Sequence, residues 1–218
     1  MNFATLPTWL LVLLSIVPVL SAIIVHEVAH GWVARQLGDD TASRLGRLSL
    51  NPLRHIDPVG TIIVPLLMLI LTNFVFGWAK PVPINWQLLR QPRRDMVLVA
   101  IAGPGSNFIM LLAWTLLAKI LTLLTFLPTP LVGMLIVMCT IAILVNTILM
   151  VFNLLPLPPL DGGRVAVGLL PPSLARPLAR IEPLGLIIIV ALLASGLLGE
   201  YLFPIVQFVN RLALYYIY

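Results

Sequence analysis

Residues 22–40 read AIIVHEVAHGWVARQLGDD. Two histidines and a glutamate, His26, Glu27 and His30, share one turn at the end of an almost wholly apolar run from Trp9 onward. An ionisable side chain at the centre of a bilayer costs about 2.5–3.5 kcal/mol or more. Three in one turn need something that binds or wets them. On a helix, residues four apart lie on one face, about 40° around the axis. His26 and His30 can therefore turn two imidazoles onto one metal ion. Glu27, about 100° around from His26, reaches a water beside that metal without having to ligate it. This is the physical content of H-E-x-x-H, two zinc ligands and a general base.

The rest of the chain agrees that the setting is lipid. Of 218 residues, 60% are hydrophobic and only 10% charged, and the mean hydropathy is +1.07. A water-soluble domain carries about 25% charged residues, so the composition excludes one of this size. The apolar runs are long enough for helices, which need roughly 20 residues to cross a bilayer. The short alternating segments of a β-barrel are absent. The net charge of +5 comes from bases spread over loops, as the positive-inside rule expects, and gives no reason to read a nucleic-acid partner. Cys139 is alone in an apolar segment and reads as packing. No Lys or Arg precedes Arg35, so the N-terminus lacks the basic region of a signal peptide.

The sequence predicts helices over 8–35, 96–124, 131–153, 184–198 and 200–217, with Trp9 and Trp32 as interface anchors. A polar loop covers 37–58, and a proline-rich link covers 154–183. The apolar segment 59–76 is short and holds Pro65. If it dips in and returns, every basic loop faces one side, so re-entry is expected. SRLGRLSL at 43–50 and AKPVPI at 79–84 read either as short strands flanking it, with an edge open to strand addition by an extended substrate, or as an ordinary capped loop. The expected fold is an all-α polytopic membrane protein, with short strands or a re-entrant segment near 43–84. It is read as one membrane-embedded domain over 1–218, with a core at about 8–170 and C-terminal helices at about 184–217.

A catalytic zinc needs a third protein ligand and an open position. His55, Asp57, Asp39, Asp40 and Asp161 are the candidates. Asp161 stands out in NLLPLPPLDGGR, where Pro156, Pro158 and Pro159 break the preceding helix and Gly162 and Gly163 allow close backbone approach. The alternative for Asp161 is a helix N-cap. His55 and Asp57 read as a turn-stabilising pair, and Arg90, Arg93 and Arg94 as lipid-headgroup anchors. Asn107, in AGPGSN, is a candidate oxyanion or substrate donor, or else an interhelical hydrogen bond. Gly103 and Gly105 read as permitting close helix approach. Asn146 and Asn153 read as helix glue or a turn contact, with Asn153 also a candidate substrate or oxyanion residue near the site.

HEVAH at 26–30, AGPGSN at 102–107 and NLLPLPPLDGGR at 153–164, in that order and spacing, resemble the site-2 protease family of intramembrane zinc metalloproteases. The resemblance covers roughly residues 10–170. It implies a three-helix catalytic core, one zinc ion per chain held by His26, His30 and Asp161, and Glu27 as catalytic base. It further implies transmembrane protein or peptide substrates, and a site inside the membrane nearer the cytoplasm. With the N-terminus outside, the expected location is the plasma membrane of a prokaryote. Three features depart from better-known members. The HEVAH helix starts almost at the N-terminus, no PDZ-like or nucleotide-binding regulatory domain is recognisable, and 59–76 is an addition to the minimal core. The competing readings are a metal transporter and an inert scaffold for transmembrane helices. A transporter needs several weak sites along a path, whereas the sequence offers one cluster.

Overall fold

The computed structural model describes residues 6–64, 66–67 and 79–217. Among the described residues, three helices are long and apolar enough to cross a membrane: α1 (Thr8–Gln36), then, after the short α2 (Thr41–Arg44), α3 (Pro92–Leu123) and α4 (Thr129–Asn153). Four more follow, α5 (Asp161–Leu169), α6 (Pro172–Arg180), α7 (Glu182–Ala194) and α8 (Leu197–Ile217). α6 and α7 are bent by 68° at their junction and form a possible fourth, broken span.

The spans are apolar on all sides, so small and polar residues decide which face turns inward. In α1 the buried positions Pro18, Ala22, His26, His30 and Ala34 follow an i, i+4 stripe. Leu13, Ile16, Val17 and Leu20 stay exposed on the other side, as a lipid-facing surface requires. In α3, Gly103, Pro104 and Asn107 are buried while Ile109, Leu116 and Leu123 are exposed. Leu111, Ala118 and Leu121 of α3 close a second core with Cys139 and Ile143 of α4 and Ala213 and Ile217 of α8. Cys139 is therefore packing, as expected.

Helix directions place the site. His26 meets Asn107, His30 meets Val99, and Leu37 meets Arg90, so α1 and α3 run antiparallel. Asn107 meets Asn146, and Leu121 clusters with Cys139, so α3 and α4 are antiparallel too. α1 and α4 thus end at the same end of the bundle. This brings the segment after Asn153 back to the histidines. Residues 37–91 leave and return at that same end, since the Arg90 amide donates to Leu37 O at 3.1 Å. The connection makes no net crossing between α1 and α3. The path of 65 and 68–78, where re-entry was expected, lies outside the described residues.

Of the two readings for 43–50 and 79–84, the loop is the one that forms. Residues 43–44 close α2, and neither 45–50 nor 79–84 pairs as a strand among the described residues. Pro81 and Pro83 lack the N–H that a ladder needs. The Arg47 guanidinium instead donates to Lys80 O at 2.9 Å. Buried Asp39 ties the same loop together, accepting from the Thr41 and Asn85 amides at 3.0 and 2.7 Å. The link expected over 154–183 contains α5 and α6. Proline at the first turn of α6 is compatible with a helix. At Gly162 and Gly163 a Cβ would collide with the backbone at Leu154 and Pro158, so the weak helix formers in DGG are the residues that let α5 seat against the preceding turn.

Candidate metal centre

His26 and His30 project from the inward stripe of α1, and Asp161 is the first residue of α5, with Leu160 rather than Asp161 at the N-cap. The Asp161 carboxylate turns instead to the histidines. Its Oδ2 lies 3.3 Å from His26 Nε2 and 3.2 Å from His30 Nε2. The two Nε2 atoms are 3.1 Å apart. Ligands of a tetrahedral zinc, each about 2.0–2.2 Å from the metal, stand roughly 3.3–3.6 Å from one another. The observed triangle is within a few tenths of an ångström of that.

The protons sharpen the argument. His30 Nδ1 lies 2.7 Å from Val99 O, which only accepts. His26 Nδ1 lies 2.6 Å from Asn107 Oδ1, also an acceptor. Each neutral imidazole therefore carries its proton on Nδ1 and turns a bare Nε2 lone pair toward the other and toward the carboxylate. Asp161 Oδ2 is buried with no hydrogen-bond partner among the described residues. Both histidines are 6–7% exposed. Three converging lone pairs away from water repel one another unless a cation sits between them. The residues fit a zinc ion, and they form the one such group of His, Cys, Asp and Glu among the described residues.

Gly103 makes the arrangement possible. A Cβ there would overlap His30 Nε2 and stand 2.6 Å from His26 Cε1, whereas one at Gly105 would meet nothing within 4 Å. Glu27 turns off the ligand stripe, and its Oε2 accepts from the Val82 amide at 2.8 Å. That contact pins the extended 79–84 backbone beside the histidines. His26, Glu27 and Asn153 line one mostly apolar cavity of about 430 Å³, together with Ile23, Ala79, Pro81 and Phe152 and with Leu186 and Ile189 of α7.

The other sequence candidates fall in different places. Asn107 is fully buried, with its amide nitrogen donating to Ala22 O at 3.2 Å and Asn146 Oδ1 at 2.9 Å. Both amide hydrogens are used, and its free acceptor faces His26. Asn153 lines the cavity while its Nδ2 donates to Leu149 O at 3.0 Å. Asp39 and Asp40 stay in the loop, Asp40 paired with Arg44 at 2.7 Å. His55 Nε2 lies 2.7 Å from Ser49 O, and Asp57 accepts from the Val59 and Gly60 amides. None of these four joins the metal group. Sequence reading missed the Val82 amide, since a loop backbone contact across 55 positions leaves no local signal.

Known proteins resemble this chain over most of its length. The description of peptidase family M50 matches residues 128–196, which include Asp161. "Putative zinc metalloprotease YwhC" of Bacillus subtilis is 38% identical over 84% of this chain and 80% of its own length. "Putative zinc metalloprotease Rip2" of Mycolicibacterium smegmatis is 32% identical over 86% of this chain and 69% of its own. The Mycobacterium tuberculosis protein of the same name is 28% identical over 89% and 71%. No solved structure matches. Those alignments span most of the chain, beyond the segment that the family description matches. On these relatives, and on its apolar spans, the chain is an integral membrane metalloprotease of the site-2 type and belongs to peptidase family M50.

Proposed function

We propose that this chain is a zinc-dependent intramembrane endopeptidase that hydrolyses peptide bonds in or near transmembrane segments of other proteins. The observation that carries the reading is the triangle of His26 Nε2, His30 Nε2 and Asp161 Oδ2, with Glu27 opening on the same cavity at the end of the spanning helices. Those three atoms would hold one zinc ion per chain. When bound, zinc polarises a peptide carbonyl and makes water a nucleophile near neutral pH.

The chain's own residues do the rest. Glu27 takes the proton of the attacking water and returns it to the leaving amine. The Val82 amide fixes one of its oxygens and leaves the other for that transfer. Asn107 holds His26 in its ligating tautomer, and Asn153, on the cavity wall, is placed to touch the substrate backbone. The apolar walls suit a transmembrane segment, and the cavity's size suits a few unwound residues better than an intact helix, whose diameter is about 10–12 Å.

Residues 1–218 act as one membrane-embedded peptidase domain. Arg35, Arg90, Arg93 and Arg94 lie at the end of the bundle where α1 stops and α3 begins. The positive-inside rule makes that end cytoplasmic. The N-terminus is then outside and the site near the cytoplasmic face of a prokaryotic plasma membrane.

The test is a purified chain in liposomes with a fluorogenic transmembrane substrate. About one zinc per chain by elemental analysis, cleavage abolished by a strong chelator and cleavage restored by zinc are expected. Cleavage that persists in the fully chelated protein overturns the reading.

A further inference from the structure

The polar groups behind the metal triangle form an ordered line that ends on α4. His26 Nδ1 faces Asn107 Oδ1 at 2.6 Å, Asn107 Nδ2 faces Asn146 Oδ1 at 2.9 Å, and Asn146 Nδ2 donates to Ala142 O at 2.8 Å. Asn107 and Asn146 are both fully buried. A backbone carbonyl only accepts, so Ala142 O fixes the direction of every bond in the line. Asn146 must give its NH2 to Ala142 and present its oxygen to Asn107. Asn107 must then present its NH2 to Asn146 and its oxygen to His26. His26 can satisfy that oxygen only with the proton on Nδ1, which leaves Nε2 bare toward Asp161 and His30.

We infer that Asn146 is a positioning residue of the metal site: it fixes the amide orientation of Asn107 and, through it, the ligating tautomer of His26. The inference deepens the proposed zinc site and rests on it. Ala22 O takes the other Asn107 hydrogen at 3.2 Å and favours the same orientation, and Asn146 secures it with the shorter bond of 2.9 Å. Without Asn146, the second hydrogen of Asn107 is left unpaired in a dry interior. His30 needs no such relay, because Val99 O sets its tautomer directly. α4 therefore supports the site both through Asp161 beyond its end and through Asn146 inside it.

The experiment measures zinc affinity by chelator competition on full-length protein in detergent, beside the thermal unfolding midpoint of the zinc-free form. Wild type is compared with N146L, N146A, N146D, N107L and the N107L/N146L double variant. Losing a group that holds a metal ligand in place costs about 10–100-fold in metal affinity, and N146L and N146A are expected in that range. N146D, buried and neutral, can donate its O–H to Ala142 O and accept from Asn107, and it is expected to recover most of the affinity. The double variant is expected to bind no more weakly than N107L alone, because Asn146 acts only through Asn107.

Wild-type affinity in either apolar variant, or losses that add in the double variant, overturns the inference. N146A is carried so that an apolar variant is measured even if the bulkier N146L does not fold. If wild type itself binds no zinc, the metal-site reading falls instead, which keeps the two failures apart.

Discussion

Asp161→Ala is expected to lose its zinc, while Glu27→Gln keeps zinc and stops cutting. Removing the Asp161 carboxylate takes away the one anion of the triangle, whose Oδ2 lies 3.2–3.3 Å from the two Nε2 atoms. Loss of a ligand outweighs loss of a supporting group, so the affinity should fall by more than about 100-fold. The vacated space is no substitute ligand, because Asp39, Asp40, His55 and Asp57 are all held elsewhere. Glu27→Gln leaves the triangle untouched. The new amide oxygen still accepts from the Val82 N–H, so the 79–84 backbone stays in place. What disappears is a group that takes and returns a proton, worth about 10²–10⁴-fold in rate. Elemental analysis and cleavage assays on both variants separate the roles. Zinc retained in Asp161→Ala would move the third ligand elsewhere, and a Glu27→Gln protein that cleaves at the wild-type rate would remove Glu27 from proton transfer.

What was legible in the sequence was local or forced by covalent geometry. The spacing of His26 and His30 needs only a helix to become a pair of ligands. The breakers around Asp161 mark a chain end that cannot continue as α4, and the topology then has one way to bring it to the histidines. Side-chain facing inside the spans is less legible, because the spans carry apolar residues on every face. Burial there follows small and polar residues such as Ala22, Asn107 and Asn146, and no hydrophobic period reports it. AKPVPI leaves strand and loop equally open to a sequence reading, and its prolines, which lack donors, favour the loop. α5 and α6 were hidden for the opposite reason: Gly162, Gly163 and Pro172 have poor helix propensity, and tertiary contact with the turn at 154–158 decides the conformation. Glu27 was legible as a base but not its tether, which comes from a loop whose position no local pattern encodes.

A single methyl group at Gly103 should disable the site. Its Cβ would overlap the His30 Nε2 atom and stand 2.6 Å from His26 Cε1. Interiors packed at crystal-like density give little room for such an overlap. Two kinds of relief are open, and both cost the metal geometry. The imidazoles can turn aside, which breaks the triangle of lone pairs. Alternatively α3 can retreat from α1, which stretches the bonds from His26 to Asn107 and from His30 to Val99 O and frees both tautomers. A displacement near 1 Å at a reacting centre costs about 10²-fold in rate. Gly103→Ala is therefore expected to lose about that much cleavage, together with at least about 10-fold in zinc affinity. Gly105→Ala is the matched control. It lies on the same helix, two residues on, with nothing within 4 Å of the added carbon, and replacing Gly by Ala favours the helix. It should bind zinc and cleave as the wild type does. Equal behaviour of the two variants would mean that the spacing between α1 and α3 is not what holds the histidines together. The roles of the two glycines in AGPGSN are then set by where each one points: Gly103 makes room for two ligands, and Gly105 faces open space.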